Sequence, residues 1–448
     1  MTLIATSQLT VIVGLGVTGL SAARYLKRRG VRFVAVDSRD NPPGLLEFQQ
    51  LFPEVGISLG KLDQGLLLQA SEIIVSPGMS LKIPEIAAAI EAGVSVVGDI
   101  ELFAREVKVP VIAITGSNAK TTVTTLVGQM ALDAGIKTAV AGNIGRPVLD
   151  LLEEEFDLFV LELSSFQLET THTLKATAAT VLNISLDHMD RYSNLAEYHR
   201  AKQKIYFGAQ QVIVNRADPL TQPPLADGIQ RLSFGLDRPD RDGFGLIVKE
   251  GKEYIAYEFK ALLAVNKLQL RGRHNVANCL AALGLGQAIN LPMDSMLKTL
   301  CDFSGLPHRC QLITTLDQVE YINDSKATNV GATLAALEGF AQDKPSIVLI
   351  AGGDGKDADF SELKTAIQKT VRLLILIGRD AQKIADIVQH DVQIIFADSL
   401  YSAVDVAKNN AKQGDTVLLS PACASFDMFS GYEERGREFI SAVIGEAA

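Results

Sequence analysis

The chain has 448 residues, of which 47% are hydrophobic and 21% are charged, and its formal net charge is −10. This length suits about three domains of ordinary size, and the composition excludes a disordered chain. The negative charge argues against a surface that coats nucleic acid, so any anionic ligand must be bound at a local site. No run of roughly 18 apolar residues is present, so we expect no membrane-spanning helix.

Cysteine spacing and the N-terminal stretch bear on where the chain acts. The four cysteines, Cys279, Cys301, Cys310 and Cys423, form no C-x-x-C pair, which is typical of reduced thiols in a cytoplasmic protein. No lysine or arginine precedes Arg24, and nothing near the N-terminus resembles a cleavage site. We therefore expect a cytoplasmic protein without a membrane partner.

Three successive series of short apolar runs alternate with amphipathic stretches, which is typical of parallel α/β sheets. The first contains "LTVIVGLG" and "VRFVAVD", the second "VPVIAITG" and "FDLFVLELSS", and the third "SIVLIAGGDG" and "DTVLLSPA". We therefore predict an α/β protein with three domains, at residues 1–98, 99–305 and 306–448. Residues 230–270 are richer in glycine and aspartate and are expected to form a small peripheral sheet.

The first glycine-rich stretch is "VIVGLGVTGLSAARYL", in which Gly14, Gly16 and Gly19 lie between a predicted strand and a predicted helix. Asp37 ends the next strand, which completes the pattern of a dinucleotide-binding turn. The glycines would let a pyrophosphate approach the helix N-terminus, and the acid would accept from a sugar hydroxyl. A UDP-sugar carries the same groups as NAD, so this loop does not decide between them. A tight turn without a ligand is the third alternative.

The second loop, in "AITGSNAKTTVTTLVGQM", departs from the strict phosphate-loop pattern because Ala119 stands before Lys120, where glycine is usual. Lys120 would reach the β and γ oxygens of a triphosphate, and Thr121 would bind Mg²⁺. Simple capping of a solvated helix is the alternative. Since alanine costs little at negative φ, we predict negative φ at Ala119, with the N–H groups of the loop facing phosphate.

Polar residues follow the next strands of the second series. They are Asn143 in "GNIG", Glu162 and Ser164 in "LELSSFQ", and Asp187 and His188 in "NISLDHMDR". Carboxyl ends of parallel strands meet at one edge, so we expect these side chains to converge on the second loop. An unpaired carboxylate at Glu162 would be costly in its apolar strand, and a metal ion would compensate it. His188 is equally well explained as an ordinary hydrogen-bonded histidine.

Sequence blocks spread over almost the whole chain resemble the Mur ligases, a family of ATP-dependent amide ligases of peptidoglycan precursor synthesis. The blocks are "TGSNAKTT", "GNIG", "ELSSFQLE", "LNISLDHMDRY", "RGRHN", "GLPHR", "INDSKATN", "GGDGKDADF" and "LLSPACASFD", in the order of the family. The "DSKATN" and "SPACAS" blocks resemble the members that add D-glutamate. The resemblance implies Rossmann-like first and third domains around a central P-loop-type ATPase domain.

The resemblance also implies a reaction, in which D-glutamate is joined to UDP-N-acetylmuramoyl-L-alanine through an acyl phosphate made from ATP. It implies two Mg²⁺ ions, a cytoplasmic monomer, and no nucleic-acid or membrane partner. The residues implied for ATP are Gly116, Ser117, Asn118, Ala119, Lys120, Thr121, Thr122, Asn275, Arg309 and Asp324. Those implied for the metal ions are Thr121, Glu162, His188 and Lys202, and those implied as catalytic are Lys120, His188 and Lys202.

Substrate residues follow from the same resemblance. Those implied for the UDP-linked substrate are Val17, Thr18, Asp37, Ser38, Arg39, Ser76, Asn143 and Ser164. Those implied for D-glutamate are Lys326, Thr328, Lys356, Ser425 and Tyr432, and the last of these replaces the phenylalanine that is more usual in the family.

Lys202, in the helix-like "AEYHRAKQKIY", requires its own explanation, because an ammonium group beside Mg²⁺ is electrostatically unfavourable. The resemblance implies that this lysine is carbamylated, which turns a cation into an anionic ligand. From the sequence alone, Lys202 would be interpreted as an ordinary solvated helix lysine.

Two other classes of protein remain as alternatives. A nicotinamide-dependent dehydrogenase would use the first glycine loop, but it leaves the "GSNAKTT" and "DSKATN" blocks unexplained. A non-catalytic nucleotide-binding protein would explain Ala119 as the decay of an ATP site. The intact Lys120, Thr121, Glu162 and His188 argue against decay.

Overall fold

The computed structural model describes residues 9–189, 191–224, 229–388 and 391–445. Its first sheet has strands β1 Thr10–Val13, β2 Phe33–Val36, β3 Ile57–Ser58, β4 Glu72–Val75 and β5 Ser95–Val97, with helices α1 Val17–Arg28, α2 Leu45–Leu51, α3 Gln64–Gln69, α4 Pro84–Glu91 and α5 Asp99–Ala104. The sheet is parallel, in the order β3-β2-β1-β4-β5. Its apolar strands are buried on both faces, since Ile12 belongs to one hydrophobic cluster and Val11 and Val13 to another.

The central sheet has strands β6 Val111–Thr115, β7 Thr138–Gly142, β8 Leu158–Glu162, β9 Ala178–Val181, β10 Gln211–Asn215, β11 Gln230–Phe234, β12 Gly243–Lys249, β13 Lys252–Tyr257 and β14 Lys260–Ala264. Its helices are α6 Lys120–Asp133, α7 Ser165–Glu169, α8 Leu195–Gln203, α9 Arg273–Ala288 and α10 Met293–Asp302, with short 3₁₀ helices at Val148–Glu153, Lys204–Tyr206, Pro219–Thr221 and Val265–Lys267. The strand order is β14-β13-β12-β11-β10-β9-β6-β8-β7. The carboxyl ends of β6, β8 and β9 therefore lie side by side.

The third sheet has strands β15 Gln311–Leu316, β16 Val319–Asn323, β17 Ile347–Gly352, β18 Val371–Ile377, β19 Gln393–Phe396 and β20 Thr416–Leu419, with helices α11 Val330–Gly339, α12 Leu363–Thr370, α13 Ala381–Ile387, α14 Leu400–Asn410 and α15 Tyr432–Ile444. Its order is β15-β16-β20-β17-β18-β19, and only the β15–β16 pair is antiparallel among the described strands. The prediction of three α/β units is confirmed.

Residues 230–270 were predicted to form a small peripheral sheet, but their strands belong to the central sheet. Strands β12, β13 and β14 lie at one edge of the central sheet, where they pair antiparallel with one another instead of forming a sheet of their own. The join is the parallel pairing of β11 with β12 at Ser233–Gly243 and Phe234–Phe244. Phe244 is buried in the same cluster as Leu280 of α9, so burial of this strand favours its addition to the existing sheet.

No helix within the described ranges is long and apolar enough to cross a membrane.

Candidate active site

The second glycine loop connects β6 to α6, and its backbone differs from our prediction. Ala119 has a φ of 67° and a ψ of −2°, which is the left-handed region, so the prediction of negative φ is wrong. Asn183, which follows β9, holds the preceding residues: its side-chain oxygen accepts from the Asn118 N–H at 2.8 Å, and its amide donates to the Asn118 carbonyl at 3.2 Å. With residue 118 held on both sides and α6 beginning at Lys120, residue 119 must make the left-handed turn.

The expected direction of the loop N–H groups is also only partly observed. The Ser117 and Asn118 N–H groups donate to Asn183, so the prediction that they face phosphate is wrong. The N–H groups at the start of α6 precede the first bond within the helix, from the Val123 N–H to the Ala119 carbonyl. These N–H groups form the positive end of the α6 dipole, and that end faces the carboxyl edge of the sheet. The dipole therefore favours binding of an anion there.

Replacing Ala119 with glycine is expected to stabilise the protein without changing the KM for ATP. A left-handed alanine costs about 1–2 kcal/mol, while the extra freedom of glycine in the unfolded chain offsets about 0.5–1 kcal/mol of the gain. Calorimetry should show the transition of the central domain about 2 °C higher. Ala134, at the other end of α6, has a φ of −81°, so Ala134→Gly is the matched control and should lower the transition. A lower transition in Ala119→Gly would contradict the strain.

Lys120 places its charge over this loop. Its ammonium donates to the carbonyls of Gly116 at 2.8 Å and Ser117 at 3.0 Å. Burial lowers the pKa of Lys120, and the nearby carboxylates of Glu162 and Asp187 act in the opposite direction. The lysine therefore shares one charged cluster with the polar residues of the strand ends, as the sequence predicted.

Glu162, at the end of β8, presents an oxygen that fits a metal ion. The residue is 2% exposed, and its Oε1 accepts from the Asn143 side-chain amide at 2.9 Å. Its Oε2 is buried without a hydrogen-bond partner among the described residues. No three His, Cys, Asp or Glu side chains cluster as a metal site within the described ranges. A Mg²⁺ ion here would therefore take further oxygens from a hydroxyl such as that of Thr121, from water and from phosphate.

Lys202 is buried rather than solvated, so the interpretation from sequence alone is wrong. The residue is 1% exposed, and its ammonium donates to the Gly116 carbonyl at 2.9 Å and the Thr115 hydroxyl at 3.3 Å. It also lies 4.7 Å from the centroid of the Tyr198 ring. Burial lowers the pKa of Lys202 well below its usual value, and the charge of Lys120 adds to this. Burial and the neighbouring charge therefore both favour the neutral, nucleophilic form of this amine.

His188 lies near the same tyrosine. Its ring centroid is 4.9 Å from that of Phe166 and 6.4 Å from that of Tyr198. Its backbone N–H donates to the Asp187 carboxylate at 3.0 Å, and its φ is 57°. The structure thus brings both His188 and Lys202 close to the Tyr198 ring.

Loops of the third sheet reach the phosphate loop through Arg309. Its guanidinium donates to the Thr121 hydroxyl at 2.7 Å. Asp324, just after β16, accepts from the Cys310 N–H at 3.1 Å and from the Ser420 hydroxyl at 2.9 Å. Burial lowers the pKa of Arg309 and raises that of Asp324 to about 6. The guanidinium of Arg309, from the third domain, therefore lies at the start of α6.

The residues predicted to bind D-glutamate are only partly brought together. The Lys326 ammonium lies 3.7 Å from the centroid of the Tyr432 ring, and the Thr328 N–H donates to the Lys326 carbonyl at 2.8 Å. Ser425 is buried, whereas Lys356 is exposed with its N–H donating to Asp354. In the described part of the chain, no hydrogen bond or ring contact joins Lys356 to Lys326 or Tyr432.

The first glycine loop has the close contacts that require glycine. A Cβ on Gly19 would lie 1.9 Å from the Gly14 carbonyl oxygen, and Gly14 itself has a φ of 99°. Asp37 accepts the Leu15 N–H at 2.7 Å and three donors of Arg39. Burial opposes charge on Asp37, but these hydrogen bonds outweigh it and hold its pKa below its usual value. The other residues predicted here are accessible in part or in full: Val17, Thr18, Ser38 and Ser76.

Two predicted ligand residues have structural contacts of their own. Ser164 caps α7, because its hydroxyl accepts from the Gln167 N–H while the Gln167 side chain accepts from the Ser164 N–H. Asn275 is buried at the start of α9, where its amide donates to the Arg271 carbonyl at 2.7 Å and its oxygen accepts from Asn278 at 3.0 Å.

Two residues that hold the site were missed from the sequence. Asn183 clamps the phosphate loop, and it follows a strand in "LNIS", where the strand-end rule applies. The Tyr198 hydroxyl lies 3.1 Å from that of Ser117, and its ring contacts Lys202. Tyr198 precedes Lys202 by one helical turn, and this spacing was the available signal.

Family models match all three parts of the chain. They are the Mur ligase MurD-like N-terminal domain over residues 8–98, the Mur ligase middle domain over residues 114–286, and the Mur ligase glutamate ligase domain over residues 308–423. The architecture is thus that of a Mur ligase. Mur ligases use ATP and Mg²⁺.

Relatives named UDP-N-acetylmuramoylalanine–D-glutamate ligase match nearly the whole chain. Those of Pseudomonas savastanoi pv. phaseolicola and Pseudomonas aeruginosa are each 53% identical over 444 residues, which cover 99% of this chain and 99% of theirs. The relative from Acinetobacter baylyi is 49% identical over 446 residues, covering 98% and 99%. The chain belongs to this family of D-glutamate-adding Mur ligases.

Solved structures share the fold at low sequence identity. The pseudomurein peptide ligase type C from Methanothermus fervidus has a TM-score of 0.62 at 18% identity, over 97% of this chain and 100% of that one. The MurF ligase from Thermotoga maritima in complex with ADP has a TM-score of 0.63 at 14% identity, over 100% and 99%.

Proposed function

We propose that the protein joins D-glutamate to UDP-N-acetylmuramoyl-L-alanine, with hydrolysis of ATP, in peptidoglycan precursor synthesis. Full-length similarity to the D-glutamate ligases carries this proposal. The gathering of Lys120, Glu162, Lys202 and Arg309 at one edge of the central sheet supports it, because phosphoryl transfer depends mainly on positioned charge. A dehydrogenase is not supported, since Mur ligase models account for all three units.

The chemistry requires activation of a carboxylate. The alanyl carboxylate attacks the γ-phosphorus of ATP, which forms an acyl phosphate and releases ADP. The amine of D-glutamate then attacks the acyl carbon, and phosphate leaves. Lys120 and Arg309 bind and orient the phosphoryl oxygens from opposite domains.

We further propose two Mg²⁺ positions and a modified lysine. Thr121 and Glu162 would hold the first ion, and His188 with carbamylated Lys202 would hold the second. When bound, the ions neutralise charge on the phosphate oxygens. The buried Glu162 oxygen that has no partner among the described residues supports the first position, and the buried amine of Lys202 supports its modification.

The remaining roles are proposed from the family resemblance. Residues proposed for the UDP-linked substrate are Val17, Thr18, Asp37, Ser38, Arg39, Ser76, Asn143 and Ser164. Residues proposed for ATP besides the phosphate loop are Asn275, Arg309 and Asp324. Residues proposed for D-glutamate are Lys326, Thr328, Lys356, Ser425 and Tyr432.

The proposed domain boundaries lie near residues 98 and 305. We also propose that the protein is a monomer and acts in the cytoplasm, where ATP and the UDP-linked substrate occur.

The affinity for D-glutamate is expected to fall at alkaline pH. Burial lowers the pKa of Lys326 to about 8, and Arg309 acts in the same direction. Below that pH the ammonium is charged and pairs with a substrate carboxylate, whereas above it the charge is lost, so the KM for D-glutamate should rise about tenfold from pH 7 to pH 9. Lys326→Arg stays charged and should show a flat profile. A flat profile for the unaltered protein would contradict the role of Lys326.

The test of function measures phosphate release from ATP with UDP-N-acetylmuramoyl-L-alanine. D-glutamate is supplied, omitted, or replaced by L-alanine, L-lysine or diaminopimelate. We expect turnover only with D-glutamate. Turnover with another amino acid but not with D-glutamate would overturn the substrate assignment and leave the ligase class intact.

A further inference from the structure

Arg191 reaches from the central domain to a loop of the first domain. The residue precedes α8, and its guanidinium donates to the carbonyl oxygens of Met79 at 2.7 Å, Pro77 at 3.2 Å and Gly78 at 3.4 Å. These three residues follow β4 in the chain. One side chain thus holds three consecutive carbonyls across the boundary between two sheets.

Within the central domain, Arg191 contacts Phe166, and Phe166 contacts the proposed catalytic His188. The guanidinium carbon of Arg191 lies 4.2 Å from the centroid of the Phe166 ring, and one nitrogen lies 3.4 Å from the Glu169 carboxylate. Phe166 makes an edge-to-face contact with His188 at 4.9 Å. The Arg191 side chain is 13% exposed, so these contacts are shielded from solvent.

The loop held by Arg191 forms one surface with the first glycine loop. The Ser76 hydroxyl donates to the Gly14 carbonyl at 3.1 Å, and a Cβ on Gly14 would lie 2.8 Å from that hydroxyl oxygen. The position of residues 76–79 therefore determines the position of the proposed UDP-binding loops relative to the phosphate edge.

We propose that Arg191 is a positioning residue, which sets the UDP-linked substrate at the correct distance from the phosphate loop and His188. This inference rests on the proposed function and adds a residue that the function did not use. A planar guanidinium has five donors in a rigid fork and stacks flat on an aromatic ring, whereas an ammonium has three donors and no plane to stack. Displacement of the loop by a fraction of an ångström would move the reacting carboxylate away from ATP.

The test compares Arg191→Gln and Arg191→Lys with a matched variant, Arg24→Gln. Arg24 also bridges two units, since α1 carries it and it pairs with Asp150 at 2.6 Å, but no described contact links it to residues 76–79. We expect both Arg191 variants to raise the KM for UDP-N-acetylmuramoyl-L-alanine at least tenfold and to change the KM for ATP less than twofold. Arg24→Gln should leave both values unchanged.

Calorimetric binding of UDP-N-acetylmuramoyl-L-alanine and melting temperatures complete the test. Unchanged affinity in both Arg191 variants, or an equal loss in Arg24→Gln, would overturn the positioning role. Melting of both Arg191 variants below the assay temperature would also overturn it, because Arg191 would then serve stability alone. Absence of D-glutamate-dependent turnover in the unaltered protein would overturn the proposed function instead, and the binding data would still decide the role of Arg191.

Discussion

Lys120→Ala is expected to slow acyl phosphate formation about a thousandfold. The ammonium is held over the phosphate loop by the carbonyls of Gly116 and Ser117, and no uncharged side chain can replace its attraction for γ-phosphate oxygens. The loss should fall on kcat more than on the KM for ATP, because charge on the transferred group changes most in the transition state.

Rapid quenching of a single turnover, with ADP as the measured product, reports this step directly. D-glutamate is omitted so that only the first half of the reaction is observed. Lys137→Ala removes the same charge from an exposed position in the central domain and should react normally. Near-normal ADP formation by Lys120→Ala would refute the phosphate role of Lys120.

Lys202→Ala should lower turnover by about two to three orders of magnitude, and short carboxylates should restore part of it. In the proposed modification, the neutral amine attacks CO₂, a carbon–nitrogen bond forms, and the displaced proton passes to solvent. The buried amine with its lowered pKa is suited to this reaction. In the alanine variant, formate or acetate would enter the vacated space and supply anionic oxygens.

Sodium chloride at equal ionic strength controls for a salt effect, and Lys120→Ala should gain nothing from the carboxylates. If Lys202→Ala loses activity and no carboxylate restores it, Lys202 acts as an amine and the carbamate is excluded. If the variant remains active, Lys202 is not part of the reaction at all.

The fold was predictable because parallel strands buried on both faces appear as short apolar runs. Residues 11–13 show this directly, since neighbouring side chains enter different cores. The location of the site was predictable for a related reason. Glu162 ends a buried parallel strand, and ligands bind where parallel strands end. Both inferences use only local pattern and a general rule of topology.

Features that depend on distant contacts were not predictable. The conformation of Ala119 depends on the Asn183 clamp, and the buried ammonium of Lys202 depends on hydrogen bonds to the distant Gly116 carbonyl and Thr115 hydroxyl. Ser164 is a different case, since the S-x-x-Q spacing of a capping box was visible in the chain.

The left-handed turn at Ala119 bears on how nucleotide sites are recognised across genomes. The constraint at this position acts on the backbone, and clamping from Asn183 lets a residue other than glycine satisfy it. A pattern search that demands glycine before the lysine would discard this chain and every ligase with the same substitution. A search built on the strand, the lysine and a clamping asparagine after the neighbouring strand would retain them.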